Sequence, residues 1–213
     1  MRAPPTCPRC GEELRSPGLW SSTWQCASHG SVAPYTVLTH PGVDMLNHVV
    51  GIAQVPVWLP VGLPRGWLCS GFAYAGDERT GASATVTCMS GPGPLGGPAD
   101  LLLVAEEPAV GLGSRHAGLG DADPGAGFDA GAPETRLAVA GHPTPFWSIP
   151  VPDGDRAVFV GEAKARWLWL VVHPASAGLL LYDEIELVDA CDAEVIPELS
   201  YGSVSPLLSA RPA

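Results

Sequence analysis

Lysine is almost missing from this sequence. Lys164 is its one lysine among 11 Lys and Arg residues, which stand against 22 Asp and Glu residues and leave a formal net charge of −11. Nucleic-acid binding draws most of its affinity from Lys and Arg side chains that neutralise phosphates. The composition therefore argues against nucleic acid as a partner.

The sequence also lacks a long apolar run. Its longest strongly apolar stretch, residues 167–173, is far shorter than the roughly 20 residues of a membrane-spanning helix. The N-terminal residues contain no apolar signal segment. Three of the six cysteines lie at metal-ligand spacing, and Cys69, Cys88 and Cys191 are scattered, which favours reduced thiols over disulfides. We expect no membrane insertion and a cytoplasmic location.

Four ligand-type residues are present near the N-terminus at the spacing of a metal site. Cys7 and Cys10 are separated by two residues, fifteen residues follow, and Cys26 and His29 are again separated by two. Two side chains of one tight turn can converge on a tetrahedral ion. Glycine follows each pair, at Gly11 and Gly30, where a positive φ would open the turn. The pattern predicts one zinc ion.

Two alternatives compete with zinc: a redox C-x-x-C pair, which normally opens a helix after a strand, and four thiol and imidazole groups without a metal. Pro8, Gly11 and the second ligand pair favour the metal site. The protein supplies all four ligands, so the predicted site is closed and structural. One face of the small hairpin is expected to be covered by Leu14, Leu19, Trp20 and Trp24.

The rest of the chain is predicted to be mainly β, with α+β as the alternative fold class. Gly and Pro together number 49, so long helices are disfavoured and turns are frequent. About eight short strands are predicted, the last over residues 179–187, with residues 106–133 as a loop. The predicted units are a zinc ribbon (1–36), a connector with a short helix and an extended segment (37–62), a β-rich domain (63–200) and a flexible tail (201–213).

Several motifs resemble an uncharacterised family of actinobacterial proteins whose N-terminus is a rubredoxin-like zinc ribbon. They include Cys7-Pro-Arg-Cys, Trp24-Gln-Cys with His29-Gly30, Gln54-Val-Pro-Val-Trp58, Leu63-Pro-Arg-Gly-Trp67 and Trp167-Leu-Trp169. The resemblance implies a shared fold and no activity. Its members are sometimes named phosphotransacetylase. Acetyl transfer between phosphate and coenzyme A needs backbone N–H groups and cationic side chains that bind anions. The sequence has one lysine, and the prolines in its glycine-rich loop at residues 90–97 remove N–H donors. We therefore reject the name.

Outside the ribbon, four residues are candidates for a ligand pocket: Glu106, His116, His142 and Trp147. Glu106 ends an apolar strand, and His116 lies in the predicted loop, where functional residues are common. The competing readings are a solvated strand end, an exposed loop pair of His116 with Arg115, and a core position for Trp147.

Three functional hypotheses follow. The leading one is a non-catalytic interaction or regulatory protein whose partner is another protein. The alternative is an enzyme or small-ligand binder that uses the predicted pocket, and the third is nucleic-acid binding through the ribbon. The sequence does not indicate an oligomeric state.

Overall fold

A computed structural model of the chain describes residues 4–19, 21–193 and 196–209. The predicted fold class is confirmed, because the structure is mainly β and most strands form one large sheet. The strands are β1 (Gln25–Cys26), β2 (Gly30–Ser31), β3 (Tyr35–Val37), β4 (Trp58–Val61), β5 (Leu68–Asp77), β6 (Gly81–Pro92), β7 (Pro98–Glu106), β8 (Thr135–Val139), β9 (His142–Ser148), β10 (Ala157–Ala163), β11 (Arg166–His173) and β12 (Glu186–Asp189).

Helices are few and short in the described residues. The α-helices are α1 (Val43–Ile52) and α2 (Leu112–Ala117), and 3₁₀ helices span Ala175–Tyr182 and Pro206–Leu208. Helix α1 supplies the short helix that was predicted in the connector. None of the helices in the described ranges is long and apolar enough to cross a membrane.

Ten strands form the large sheet, in the order β3-β5-β6-β7-β11-β10-β9-β8-β12-β4, and β1 pairs with β2 separately. Neighbouring strands are antiparallel except β12 and β8, which are parallel. Two hairpins turn on two residues each, since Val139 pairs with His142 and Ala163 pairs with Arg166. These tight connections bring the β8–β9 and β10–β11 turns to the mouth of one cavity, described below.

The central strands are buried on both faces, which explains their continuous apolar sequence. Successive side chains of a strand point to opposite faces, so Leu101 and Leu103 of β7 join one cluster and Leu102 and Val104 join the other. Helix α1 and strand β4 cover the first face, and α2 covers the second. The candidate metal ligands lie in a third, much smaller cluster.

Several elements differ from the sequence predictions. Residues 63–200 contain eight strands, β5–β12, which is the predicted number, but β3 and β4, from outside that range, also join the sheet and bring it to ten. Residues 179–187 divide into the end of a 3₁₀ helix and the start of β12, since periodicity does not distinguish a short apolar strand from a helical turn. The predicted loop 106–133 contains α2.

The segment predicted as a flexible tail packs on the sheet as far as the structure describes it. Tyr201 pairs with Cys69 in an isolated bridge, and Leu208 is fully buried against the second face. Residues 210–213 of that predicted tail lie outside the described residues. Apolar contact with the sheet therefore orders a segment whose sequence shows no secondary-structure pattern.

Candidate metal centre

The turn that contains Cys7 and Cys10 is closed by backbone hydrogen bonds. The Gly11 N–H donates to the Cys7 carbonyl at 2.9 Å, and the Cys7 N–H donates to the Glu12 carbonyl at 2.8 Å. Gly11 and Gly30 have φ values of 72° and 68°, which confirms the left-handed geometry expected of both. This conformation is easy for glycine and costly for residues with a Cβ.

The four predicted ligands meet in space. Their ligand atoms all lie within 4.8 Å of one another. The His29 Nδ1 atom is 3.6 Å from the Cys7 Sγ atom and 3.5 Å from the Cys26 Sγ atom, and the Cys10 and Cys26 Sγ atoms are 3.6 Å apart. A tetrahedral zinc ion with bonds of about 2.0 Å to nitrogen and about 2.3 Å to sulfur keeps its ligand atoms about 3.5–3.8 Å apart. The arrangement could therefore hold a metal ion of this size.

The thiols of the cluster differ in acidity. The pKa of Cys10 is raised to about 12, mainly by burial, and hydrogen bonds with Cys26 and Cys7 contribute to this increase. Burial acts in the same direction on Cys26, but hydrogen bonds from the Ser28 and His29 backbone N–H groups outweigh it and lower the pKa of the Cys26 thiol. In the metal-free protein Cys26 is thus the readier thiolate and Cys10 the thiol. A bound metal ion would displace the Cys10 proton, because only the thiolate is a good ligand.

The hairpin around the cluster, residues 4–32, is called the Cys/His module below. Its buried apolar residues are few: Leu14 packs with Cys7 and Cys26, with partial cover from Trp24 and Val32. The prediction that Leu19 covers this face is wrong, because its side chain is fully exposed. Trp20 lies outside the described residues. So small a core requires another source of stability.

Two arginines attach the Cys/His module to the segment around α2. The Arg9 Nη2 atom donates to the Ala109 carbonyl, and its Nε atom donates to the Val110 carbonyl at 3.3 Å. From the opposite side, the Arg115 Nη1 atom donates to the carbonyl of the ligand Cys7 at 3.0 Å. The backbone of a candidate metal ligand is thus hydrogen-bonded to α2, the helix that covers the second face of the sheet.

Arg115 and His116 are both buried, contrary to the reading of an exposed loop pair. The Arg115 guanidinium lies 5.0 Å from the centre of the Tyr35 ring, and the Tyr35 hydroxyl lies 3.4 Å from His116 Nε2. The pKa of His116 is lowered to about 3, mainly by burial, and the positive charge of Arg115 contributes to this decrease. His116 is therefore a neutral, structural side chain at physiological pH.

Glu106 is fully buried and is not a solvated strand end. Its carboxylate accepts the Leu112 N–H at 2.7 Å and the Gly113 N–H at 3.1 Å, at the start of α2. Burial raises the pKa of Glu106 to about 7, against the lowering effect of these hydrogen bonds. The carboxylate thus holds α2 against β7.

The structure does not gather the four predicted pocket residues into one cavity. His142 lines a cavity of about 640 Å³ whose walls contain none of the other three. Trp147 is partly exposed; its indole N–H donates to the Gly131 carbonyl at 2.8 Å. Glu106, at the end of β7, and His116, within α2, lie on the second face of the sheet. The alternation of side chains along β7 sends Glu106 to that face.

Sequence reasoning overlooked three residues of that cavity: Trp58, Lys164 and Asp189. One signal for them existed, because Lys164 is the sole lysine of an acidic chain. Its two aspartate partners lie 25 and 28 residues further along the chain. No spacing rule links these positions.

Comparison with known proteins identifies a family but no activity. DUF6758, a family of unknown function, matches residues 1–208. Among the curated proteins and the solved structures, none is significantly similar to the chain.

Proposed function

Because the chain belongs to DUF6758, a family of unknown function, we propose its function from its own geometry: Cys7, Cys10, Cys26 and His29 hold one structural zinc ion. The observation that carries this proposal is the ligand quartet, whose four ligand atoms lie within 4.8 Å of one another and of whose separations three, at 3.5–3.6 Å, match a tetrahedral site. Three sulfurs and one imidazole suit zinc well, whereas common iron–sulfur clusters are held by four thiolates.

A structural role follows from the ligand count. Zinc takes four ligands in structural sites, and the protein supplies all of them, so no coordination position is left for water or substrate. The ion would tie the two ends of a hairpin that has little apolar core. Through Cys7 and Arg115, it would also brace the α2 segment. The residues thus support a zinc ribbon whose metal shapes a surface.

We further propose a non-catalytic interaction or regulatory role in the cytoplasm, with another protein as the partner. We assign the contact to Leu19, a fully exposed apolar side chain of the module next to the Gly18–Ser21 bridge. Arg15 is exposed nearby, whereas Arg9 is engaged by the α2 segment and does not serve as an outward contact. The unpaired cysteines support the reducing compartment.

Elemental analysis of the purified protein tests the metal proposal. We expect one zinc per chain, and we expect its loss in Cys10→Ser. The matched control is Cys191→Ser, which removes an exposed cysteine outside the cluster and should keep the full zinc content. Full zinc occupancy in Cys10→Ser, or equal loss in both variants, contradicts the ligand assignment.

Quantitative affinity purification from the native cell tests the interaction role. Leu19→Ser should lose a specific partner that the wild-type protein retains, while Leu95→Ser, which alters an exposed leucine in the β6–β7 turn, should retain it. Cys10→Ser should lose the same partner, because the module then lacks its metal. Retention of every captured protein by Leu19→Ser argues against this surface.

A further inference from the structure

A carboxylate that is not one of the four candidate ligands lies against the metal cluster. The Glu12 Oε2 atom is 3.6 Å from the Cys10 Sγ atom and 3.7 Å from the Cys26 Sγ atom. Zinc bonds of about 2.0–2.2 Å to oxygen and about 2.3 Å to sulfur place two tetrahedral ligand atoms about 3.6 Å apart. Glu12 therefore lies at ligand distance from two members of the quartet.

The Cys10, Cys26 and Glu12 side chains form a second triangle of ligand atoms. Its three sides measure 3.6, 3.6 and 3.7 Å, which are the edges expected for one face of a tetrahedral site. The group whose ligand atoms all lie within 4.8 Å of one another does not include Glu12. The carboxylate is thus outside the quartet, next to the edge that joins Cys10 and Cys26.

Local contacts hold Glu12 in this position. The Ser28 hydroxyl donates to the same Oε2 atom at 3.1 Å. The backbone is fixed as well, because the Cys7 N–H donates to the Glu12 carbonyl at 2.8 Å and the Glu12 N–H bonds to the Cys10 sulfur. Glu12 is therefore tied to both turns of the ligand cluster.

The edge of the cluster beside Glu12 meets solvent. Glu12 and His29 are exposed, Cys10 is partly exposed, and Cys7 and Cys26 are buried. Because the protein supplies all four ligands of the proposed site, a metal ion has no free coordination position through which to enter or leave. An exposed fifth group at ligand distance offers such a position.

The charge of Glu12 affects metal exchange more than metal affinity. Three thiolates and one carboxylate carry four negative charges, whereas a zinc ion carries two positive charges. Like charges within about 4 Å repel each other, so the carboxylate adds little to the stability of the final complex. The same negative charge attracts an approaching cation and competes with the neighbouring thiolates for a departing one.

We propose that Glu12 is the exchange residue of the metal site, which means the group that contacts the ion as it enters and leaves the quartet. This inference rests on the zinc site proposed above. Glu12 takes the place of the partly exposed Cys10 during exchange, and Ser28 holds its carboxylate ready. Because the Cys/His module depends on its metal for stability, rapid exchange makes its folding follow the zinc that is available.

Metal release from the loaded full chain tests this role. The protein is loaded with Co²⁺, whose thiolate charge-transfer absorption reports occupancy, and is mixed with excess EDTA or excess Zn²⁺. We expect Glu12→Gln to release Co²⁺ about tenfold more slowly than the wild-type protein. Its equilibrium affinity, measured by chelator competition, should change by less than about threefold. Slower release at equal affinity means that uptake is slowed equally.

Three variants separate contact with the metal from the effect of charge. Glu13→Gln removes the neighbouring exposed carboxylate and should release Co²⁺ at the wild-type rate. Glu12→Asp keeps the charge but shortens the side chain, and Ser28→Ala removes the hydroxyl that holds the carboxylate. Both should slow release about threefold to tenfold. One metal ion per chain and an unchanged far-UV circular dichroism spectrum verify that each variant is folded.

Several outcomes overturn the inference. Release from Glu12→Gln at the wild-type rate shows that the carboxylate takes no part in exchange, and faster release with lower affinity shows that it stabilises the bound state instead. Equal slowing by Glu13→Gln, or wild-type release from Glu12→Asp, shows an effect of charge alone. Each of these results leaves the proposed zinc site intact, whereas a wild-type chain that binds neither Zn²⁺ nor Co²⁺ overturns both proposals.

Discussion

The Cys/His module and the ten-stranded sheet rely on different sources of stability. In the module, the buried cluster within the described residues consists of Cys7, Leu14 and Cys26, and two of these are candidate metal ligands. The sheet is covered on both faces by large apolar clusters. Burial of apolar area can therefore stabilise the sheet without a metal, whereas the module depends on its ligand cluster. The comparison predicts that one region can be unfolded while the other stays folded.

The largest effect is expected from loss of the metal, which should unfold the Cys/His module and leave the sheet folded. Cys10→Ser should remove the metal and unfold the module, because zinc binding in small modules is worth about 10–16 kcal/mol. Amide hydrogen exchange should show protection of residues 4–32 falling by about 100-fold or more, while β5, β6, β7 and β11 remain protected.

Cys191→Ser is the control for this experiment and should leave both regions protected. Loss of protection throughout the sheet of Cys10→Ser would show that the two regions unfold as one unit. That outcome would contradict the prediction that the module can unfold while the sheet stays folded.

Arg115 connects the two regions, so its removal should affect both. Arg115→Met eliminates the hydrogen bond to the Cys7 carbonyl and the contact with Tyr35. We expect the free energy of unfolding to fall by about 2–3 kcal/mol and zinc affinity, measured by chelator competition, to fall about tenfold. Arg136→Met, which alters an exposed arginine of β8, is the control. Unchanged zinc affinity in Arg115→Met contradicts the coupling.

Changes in the two α-helices that pack on the sheet should leave the metal in place. A Cβ atom at Gly113 would lie 2.2 Å from Trp169 Cδ1, so Gly113→Ala should lower the free energy of unfolding by about 2 kcal/mol through overpacking. At Gly51 of α1 no atom lies within 4 Å of an added Cβ, and Gly51→Ala should raise stability by about 0.5–1 kcal/mol. Both are measured by urea denaturation, and both should retain zinc. Equal effects of the two substitutions would contradict the packing at Gly113.

A further expected effect concerns the dependence of stability on pH. Glu106 has an ordinary pKa of 4.5, and burial raises it to about 7 in the folded protein. The folded state therefore binds the proton more tightly, and this contribution to stability is lost as pH rises from 4.5 to 7. Glu106→Gln removes the titration, so its stability relative to wild type should increase by about 1–2 kcal/mol between pH 5 and about 7.

His116 acts in the opposite direction over an overlapping range. Its pKa falls from 6.5 to about 3 on burial, so its contribution is present above pH 6.5 and is lost as pH falls towards 3. The wild-type protein and Glu106→Gln both contain His116. Because their stabilities are compared at the same pH, this opposing effect cancels in the difference. A difference that does not change with pH would show that Glu106 does not titrate in this range.

The cluster of candidate metal ligands and the fold class could be predicted from the sequence, and for the same reason. Cys7 and Cys10 sit in one turn, as do Cys26 and His29, so their geometry depends on a few backbone angles. The frequency of Gly and Pro likewise limits helix length whatever the final packing is. Local rules are sufficient where the interacting groups are local.

The burial of Glu106 and the position of Lys164 could not be read in this way. The position of Glu106 at the end of an apolar strand predicts solvent exposure. In the structure α2 covers this strand end, and its Leu112 N–H donates to the Glu106 carboxylate. The Lys164–Ala165 turn lacks the Asn-Gly or Asp-Gly pair that favours such hairpins, yet both residues adopt positive φ. Lys164 is held there by Asp189 and Asp192.

By itself, the sequence determined the Cys/His quartet of a candidate metal site, a mainly β architecture and an acidic composition. Each of these depends on composition or on contacts between residues close in the chain. The tertiary structure alone decided that Arg115 meets Cys7, that Glu106 is buried, and that Trp58 lines an acidic cavity. These features arise from strand order and register, which bring together residues that no local pattern relates.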